Sequence, residues 1–215
     1  KKNTTSHSYT IASWIYPNDN TCSAGNENYI WQFTDASANE IGGLGYGCAG
    51  TSHANQFVFK GSGNDIYTDV YASDEWYHVA ISVDKVNNKA DFYINGYLIN
   101  TYTDATSSAI LDINQTNVPG DFSIGGESNG TTTQYFSGSL NEFCIWNSYL
   151  SETDVNYAML GNPSSTGLVA HYMFNEGAGS TIYDNSGNGN DATQSNAIFD
   201  TVPLVKSFEV YEDNT

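Results

Sequence analysis

The chain has 215 residues, with 24 acidic side chains against 6 lysines and no arginine, and a net charge of −18. That balance argues against DNA, RNA and anionic membrane surfaces as partners, because phosphate groups are held by clustered Lys and Arg. Apolar residues make up 39%, enough to core one domain of this length, and no apolar run reaches the ~18 residues of a membrane span.

In chain order, the N-terminal KKNTTSHSYT lacks the apolar core of a secretory leader, so the chain reads as a mature fragment or an excised domain. Residues 8–16 form a first strand and residues 17–28 a polar loop. Tyr29–Phe33 is a short strand. The stretch 41–50, IGGLGYGCAG, is too glycine-rich for an ordinary strand interior and marks bends or a close approach by backbone or ligand. Gln56–Lys60 and Ile66–Tyr71 read as a hairpin around residues 61–64.

The clearest stretch is Trp76–Thr103, three antiparallel strands in succession. In the first, Trp76, His78, Ala80 and Ser82 alternate with Tyr77, Val79, Ile81 and Val83, the period of a strand with one face on a core and one in solvent. Asn95-Gly96 suits a two-residue type I′ turn, where both central residues need positive φ. Residues 105–117 make a polar connection, with Ile110, Leu111 and Ile113 turned inward. Strands follow at Phe122–Gly125 and Tyr135–Trp146, around a loop at residues 126–133.

One helix is expected, near 151–160. Ser151 is its N-cap, Asp154 the reciprocal N3 partner, Leu150 and Val155 a hydrophobic staple, and Gly161 the stop. Leu168–Asn175, Ala192–Phe199 and Leu204–Tyr211 are the last strands.

Four segments carry a family resemblance. WYHVA at 76–80 and FYING at 92–96 resemble the central hairpin of laminin G-like domains, members of the concanavalin A-like lectin/glucanase jelly rolls. YTIASWIYP at 9–17, GSLNEFCIWNSYL at 138–150 and the block 167–193 resemble three further strands of that family. With the strand pattern, this gives an all-β, two-sheet antiparallel jelly-roll sandwich over 1–203. Residues 204–215 are the last strand or the start of a following module. The family's usual strand before YTIASW is missing, and Gly167–Asn175 is expected to fill the gap in the sheet near Tyr9–Ile15.

The loop Asp184–Asp191, DNSGNGND, offers oxygen at nearly every position. Calcium takes about six to eight oxygens, and the same sequence also makes an Asx turn with no metal. The resemblance implies a structural Ca²⁺ held by Asp184, Asn188 and Asn190. It would be helped from an earlier strand by Asn141, where the family carries aspartate. Held without a cation, the carboxylates of Asp184 and Asp191 would repel each other. The four histidines show no zinc spacing.

Sugars are held by stacking on aromatic rings and by polar groups around them. Tyr16, Trp31, Tyr46, Tyr67, Tyr71 and Tyr97, in or beside loops, are the candidates, while Trp14, Trp76 and Trp146 are structural. Cys22 and Cys48 form the expected disulfide of a secreted protein, with Cys144 a packed free thiol. Asn3, Asn114 and Asn129 open glycosylation sequons, which matter only in a host that glycosylates.

No E-x-D-x-x-E strand places paired carboxylates as in glucanases of this fold, and no arginine is present for a lyase or sialidase. The sequence therefore reads as a non-catalytic, secreted or surface-exposed module. It binds a glycan, a cell-surface glycoprotein or neighbouring domains of the same long chain. A glycan-degrading enzyme and a purely structural domain are the alternatives.

Overall fold

The computed structural model describes residues 8–18, 27–34, 37, 40–61, 65–103, 122–126, 134–195 and 197–199. The expected loops at 17–28, 105–117 and 126–133 lie partly or wholly outside these residues. Cys22, the three sequons and the strand at Leu204–Tyr211 lie outside them altogether.

Two antiparallel sheets face each other. The strands are β1 Tyr9–Pro17, β2 Glu27–Thr34, β3 Glu40–Gly47, β4 Gln56–Gly61, β5 Ile66–Val70, β6 Tyr77–Asp84 and β7 Lys89–Ile94. They continue with β8 Tyr97–Thr103, β9 Phe122–Ile124, β10 Gly138–Trp146, β11 Leu168–Tyr172, β12 Thr181–Ile182 and β13 Ala192–Thr193. One sheet runs β11-β10-β1-β6-β7-β8, the other β5-β4-β3-β2-β9, and β12 pairs with β13. Ile11, Ile15, Ile30, Trp31, Phe57, Phe59, Ile81, Val83, Phe92 and Phe143 pack between the two sheets. The chain is thus the jelly-roll sandwich that its strand pattern implies.

The expected outward face of β6 is not in solvent. Every residue of that strand is buried, His78, Ala80 and Ser82 included. The cause is α1, Glu152–Met159, which lies over this side of the sheet. Beneath it, Ala12, Ala80, Tyr93, Cys144 and Trp146 pack with Leu150, Val155 and Ala158 as a second apolar layer. The Trp14 indole N–H donates to the Met159 carbonyl at 3.1 Å, and that of Trp146 to Ser164 at 2.8 Å. Both tryptophans are structural, as expected.

The helix starts as its sequence indicates. Ser151 caps it, and Asp154 completes the reciprocal capping box.

Gly167–Asn175 does enter the sheet that holds β1, as the edge strand β11, with β10 between it and β1. The expected strand 192–199 shrinks to β13, Ala192–Thr193. Residues 41–47 of the glycine-rich segment lie in β3, whose pairing with β2 carries two register shifts, and its glycines serve close approach. A Cβ on Gly43 would sit 2.8 Å from the Trp31 carbonyl and 3.3 Å from the Tyr29 ring, and one on Gly45 would sit 3.0 Å from the Glu27 side chain. These side chains of β2 lie across β3 because β3 has none there.

Asn95 and Gly96 have φ of 52° and 80°, the type I′ turn expected. This turn abuts α1, so a Cβ on Gly96 would collide with the Asn156 side chain. Gly96→Ala is therefore expected to cost at least about 1–2 kcal/mol from the left-handed backbone alone, with the clash adding to it. Urea denaturation should show the midpoint fall with an unchanged slope.

Candidate functional site

One open side of the sandwich is bordered by the edge strands β5 and β8. Between them lies a cleft of about 140 Å³, walled by Ile66 to Asp69 of β5 and by Phe92, Ile99 and Asn100. Ile66 and Phe92 are core residues at its base, while Thr68, Asp69 and Asn100 put polar groups around it, and most of the exposed lining is polar. The volume is well under the ~300–1,000 Å³ of pockets that enclose drug-sized molecules, so it admits one ring-sized group.

Tyr67 stands at this cleft, 38% exposed. The His53 imidazole stacks on it with ring centroids 3.7 Å apart and planes at 16°. His53 is itself fixed by Gln56 Oε1 at 3.1 Å, and the Gln56 amide donates to the Thr68 carbonyl. Tyr67 and Asp69 alternate with buried Ile66 and Thr68, so the tyrosine ring, stacked on His53, lies on the outer face of the five-stranded sheet at the rim of the cleft.

Around it lies a charged network. The Tyr67 hydroxyl donates to Asp65 at 3.3 Å, and Lys60 Nζ reaches Asp65 Oδ2 at 2.6 Å and Glu27 Oε1 at 2.8 Å. Burial disfavours the Lys60 charge, but its bonds to Asp65 and Glu27 outweigh this and hold it protonated. Tyr29, lying over β3, donates its hydroxyl to Glu40 Oε2 at 2.6 Å, and Glu40 Oε1 is buried with no partner. Burial first, then the charges of Asp65 and Glu27, raise the Glu40 carboxyl above the usual range against the opposing pull of Tyr29 and Lys60.

Of the six aromatic candidates, Trp31 and Tyr46 belong to the core, at 2% and 0% exposure, so neither can stack on a sugar. Tyr46 directs its hydroxyl to the Tyr71 carbonyl at 2.6 Å. Tyr71 is half-buried between Phe57 and Tyr77, and Tyr16 is half-buried beside Trp76. Tyr97, 71% exposed, is on β8 with Ile99 and Asn100. The structure therefore places Tyr67 at the cleft and Tyr97 on the strand that walls it. Sequence reasoning missed His53, Lys60, Asp65, Asp69 and Asn100, which come together only through the pairing of β4 with β5 and the stacking of the sheets.

The loop Asp184–Asp191 closes on itself and on β11. Asp184 Oδ1 accepts from the His171 and Ser186 backbone N–H groups, each at 2.9 Å. Its Oδ2 accepts from the Ser186 hydroxyl at 2.8 Å and the Asn190 N–H at 3.0 Å. Asn188 and Asn190 donate their side-chain amides to the Val169 carbonyl. Asp191 accepts from the Asp184 N–H at 2.9 Å. The two carboxylates are each met by N–H groups of the loop and of β11.

Asn141 is on β10 opposite Trp14, and the residue that ties β10 to β11 near this corner is its neighbour Glu142, 2.6 Å from His171 Nε2. Among the described residues, no three His, Cys, Asp or Glu side chains are grouped as metal ligands.

A family profile, described as the concanavalin A-like lectin/glucanases superfamily (Laminin_G_3), matches residues 1–156. The chain belongs to this family.

Solved structures agree on the fold of this laminin G-like chain. One is a "putative carbohydrate binding protein" from Bacteroides ovatus, 21% identical with a TM-score of 0.68, covering 88% of this chain and 52% of its own. The present chain thus spans about half of that protein. A heptameric SAP-like pentraxin from Limulus polyphemus is 19% identical with a TM-score of 0.53, covering 75% of this chain and 71% of its own. A Trypanosoma rangeli sialidase is 14% identical with a TM-score of 0.51, covering 73% of this chain and 23% of its own. No curated protein matches.

Burial pushes the Asp184 carboxyl up, but the donors from His171, Ser186 and Asn190 outweigh it and leave the pKa at about 2. A carboxylate lowered on folding stabilises above its unfolded pKa of about 3.9 and loses that contribution as the pH falls towards the folded value. Asp184→Ala is expected to cost on the order of 1–2 kcal/mol at neutral pH, with EDTA present. The gap to wild type should narrow between about pH 4 and pH 2. Thermal melts across that range measure it, and a gap independent of pH would refute this account.

Proposed function

We propose that this is an extracellular carbohydrate-binding module that takes one terminal sugar of a glycan or surface glycoprotein at the cleft between β5 and β8. The observation that carries the reading is the cleft itself. It is small, has Ile66 and Phe92 at its base, and is flanked by Thr68, Asp69 and Asn100, with a tyrosine stacked on His53 at its rim. Such a combination stacks the apolar face of a pyranose and pairs its hydroxyls. Family membership and the likeness to the Bacteroides protein support the same class.

Among the described residues, no helix is long and apolar enough to cross a membrane. A disulfide between Cys22 and Cys48 belongs to the extracellular part of the proposal. Its support is that Cys48 is fully buried, whereas the free cysteine among the described residues is Cys144. The intact protein should be two hydrogens lighter without reductant than with it.

Calcium is proposed as an ion at this loop, on oxygens of Asp184, Asn188 and Asn190 with help from Asn141 of β10. Support comes from the oxygen-rich loop and the net charge of −18. EDTA should then lower the melting temperature by less than Asp184→Ala does. No change after exhaustive dialysis removes calcium from the proposal.

The enzyme alternative has one observation in its favour, the raised Glu40 carboxyl, which suits a general acid. Release of reducing ends from a glycan, lost in Glu40→Gln, would replace the binding reading.

The main test is a glycan array followed by calorimetry on any hit. Tyr67→Ala and Asn100→Ala should each weaken binding roughly 5–150-fold, the loss of about 1–3 kcal/mol of stacking or hydrogen bonding. Binding that is unaffected by both variants places the site elsewhere.

A further inference from the structure

The two sheets end in four edge strands, β11 and β8 in one and β5 and β9 in the other. An edge strand leaves a row of backbone N–H and C=O groups without a neighbour, and proteins cover such edges, shorten them or guard them with charge and proline. Three of the four edges follow this rule. The Asp184 loop lies along β11, where Asn188 and Asn190 donate to the Leu168 and Val169 carbonyls and the Asn185 N–H to that of His171. β9 has three residues, and β5 has five and carries Asp69. β8 is different. It is seven residues long, YLINTYT, with no charged side chain and no proline. Tyr97, Leu98 and Ile99 are 71%, 45% and 38% exposed. Among the described residues, the backbone hydrogen bonds of this strand run to β7 alone.

We propose that β8 is a self-association surface, on which a second copy of this chain lays its own β8 antiparallel. Charge decides the occupant. Two chains of net charge −18 repel each other wherever acids meet. Along β8 two copies place no like charges opposite one another. A second copy also brings what the edge lacks, an identical row of N–H and C=O groups that a two-fold axis sets in antiparallel pairing. The Tyr, Ile and Thr side chains of β8 suit a strand with neighbours on both sides. That axis stands perpendicular to the joined sheet, so both five-stranded sheets lie on one side of it and the two β5–β8 clefts open towards each other. Asp69, on the wall of each cleft, then approaches its counterpart, and this opposes pairing at low salt. The pairing needs no sugar and stands apart from the carbohydrate reading.

Sedimentation velocity of the wild-type chain, in EDTA and without glycan, tests it. Monomer should pass to dimer between micromolar and millimolar concentration, and added salt should strengthen the dimer by screening the approaching acids. Leu98→Glu puts a carboxylate on each of the paired strands and should weaken the dimer at least about fivefold. Should Leu98→Glu fold poorly, Thr103→Glu, at an exposed position at the far end of the strand, decides. A chain that stays monomeric throughout, a dimer that salt dissociates, or a dimer that the folded variants leave unweakened overturns the proposal.

Discussion

Thr10 and Ser82 face each other across β1 and β6 with their hydroxyl oxygens 2.9 Å apart, and between them they capture the backbone of Leu150. The Leu150 N–H donates to Ser82 at 2.8 Å and to Thr10 at 3.1 Å, Ser82 returns a bond to the Leu150 carbonyl, and Thr10 binds that of Ser148. All of this is buried, where an unmet donor or acceptor costs about 1–3 kcal/mol. The turn into α1 is therefore fixed to the middle of the sheet. Because it is fixed, the helix can cover Ala12, Ala80, Tyr93 and Trp146, and the middle strands β1, β6 and β7 of the six-stranded sheet bury both of their faces. With that face closed by α1, the edges and the five-stranded sheet are left to meet ligands.

The second constraint is on the other sheet. Glycine at 43 and 45 leaves room for Tyr29 and Glu27 to lie across β3. Tyr29 then meets Glu40, and Glu27 meets Lys60, which holds Asp65 beside Tyr67. A substitution at either glycine would displace the first members of this relay. The segment that looked too glycine-rich for a strand interior is the strand that seats this polar surface.

Much of the fold was legible because its signals are local. Alternation over Trp76–Val83, Asn95-Gly96 and the Ser151 capping box each depend on a few neighbouring residues, and each produced the element it implied. What local pattern cannot carry is which side of a strand another segment will cover. The polar-looking face of β6 (His78, Ala80, Ser82) reads as solvent-facing until α1 is placed on it. The same limit explains the aromatics. Trp31 and Tyr46 sit beside loops in sequence just as Tyr67 does, yet their sides of β2 and β3 point into the sandwich. Asp69 and Asn100 had no local signal at all, because they meet only across the gap between two edge strands.

The Asp184 loop and the scarce lysines lead to one electrostatic conclusion. In the loop, charge is balanced by backbone N–H groups, which leave the net charge unchanged. Lys60 and Lys89 are bound inside networks, Lys89 by Asp91 at 2.7 Å and the Tyr149 hydroxyl at 2.9 Å, with Thr101 holding the other Asp91 oxygen. Burial works against the Asp91 charge, but Lys89, Tyr149 and Thr101 together hold its carboxyl below the usual range. Cations in such networks stabilise buried acids and cannot also serve a ligand. The protein therefore presents carboxylates outward wherever it has not buried a lysine beneath them. An open cleft on such a surface keeps a negative potential even when its own lining is mostly neutral, because clefts with low-dielectric walls focus the field.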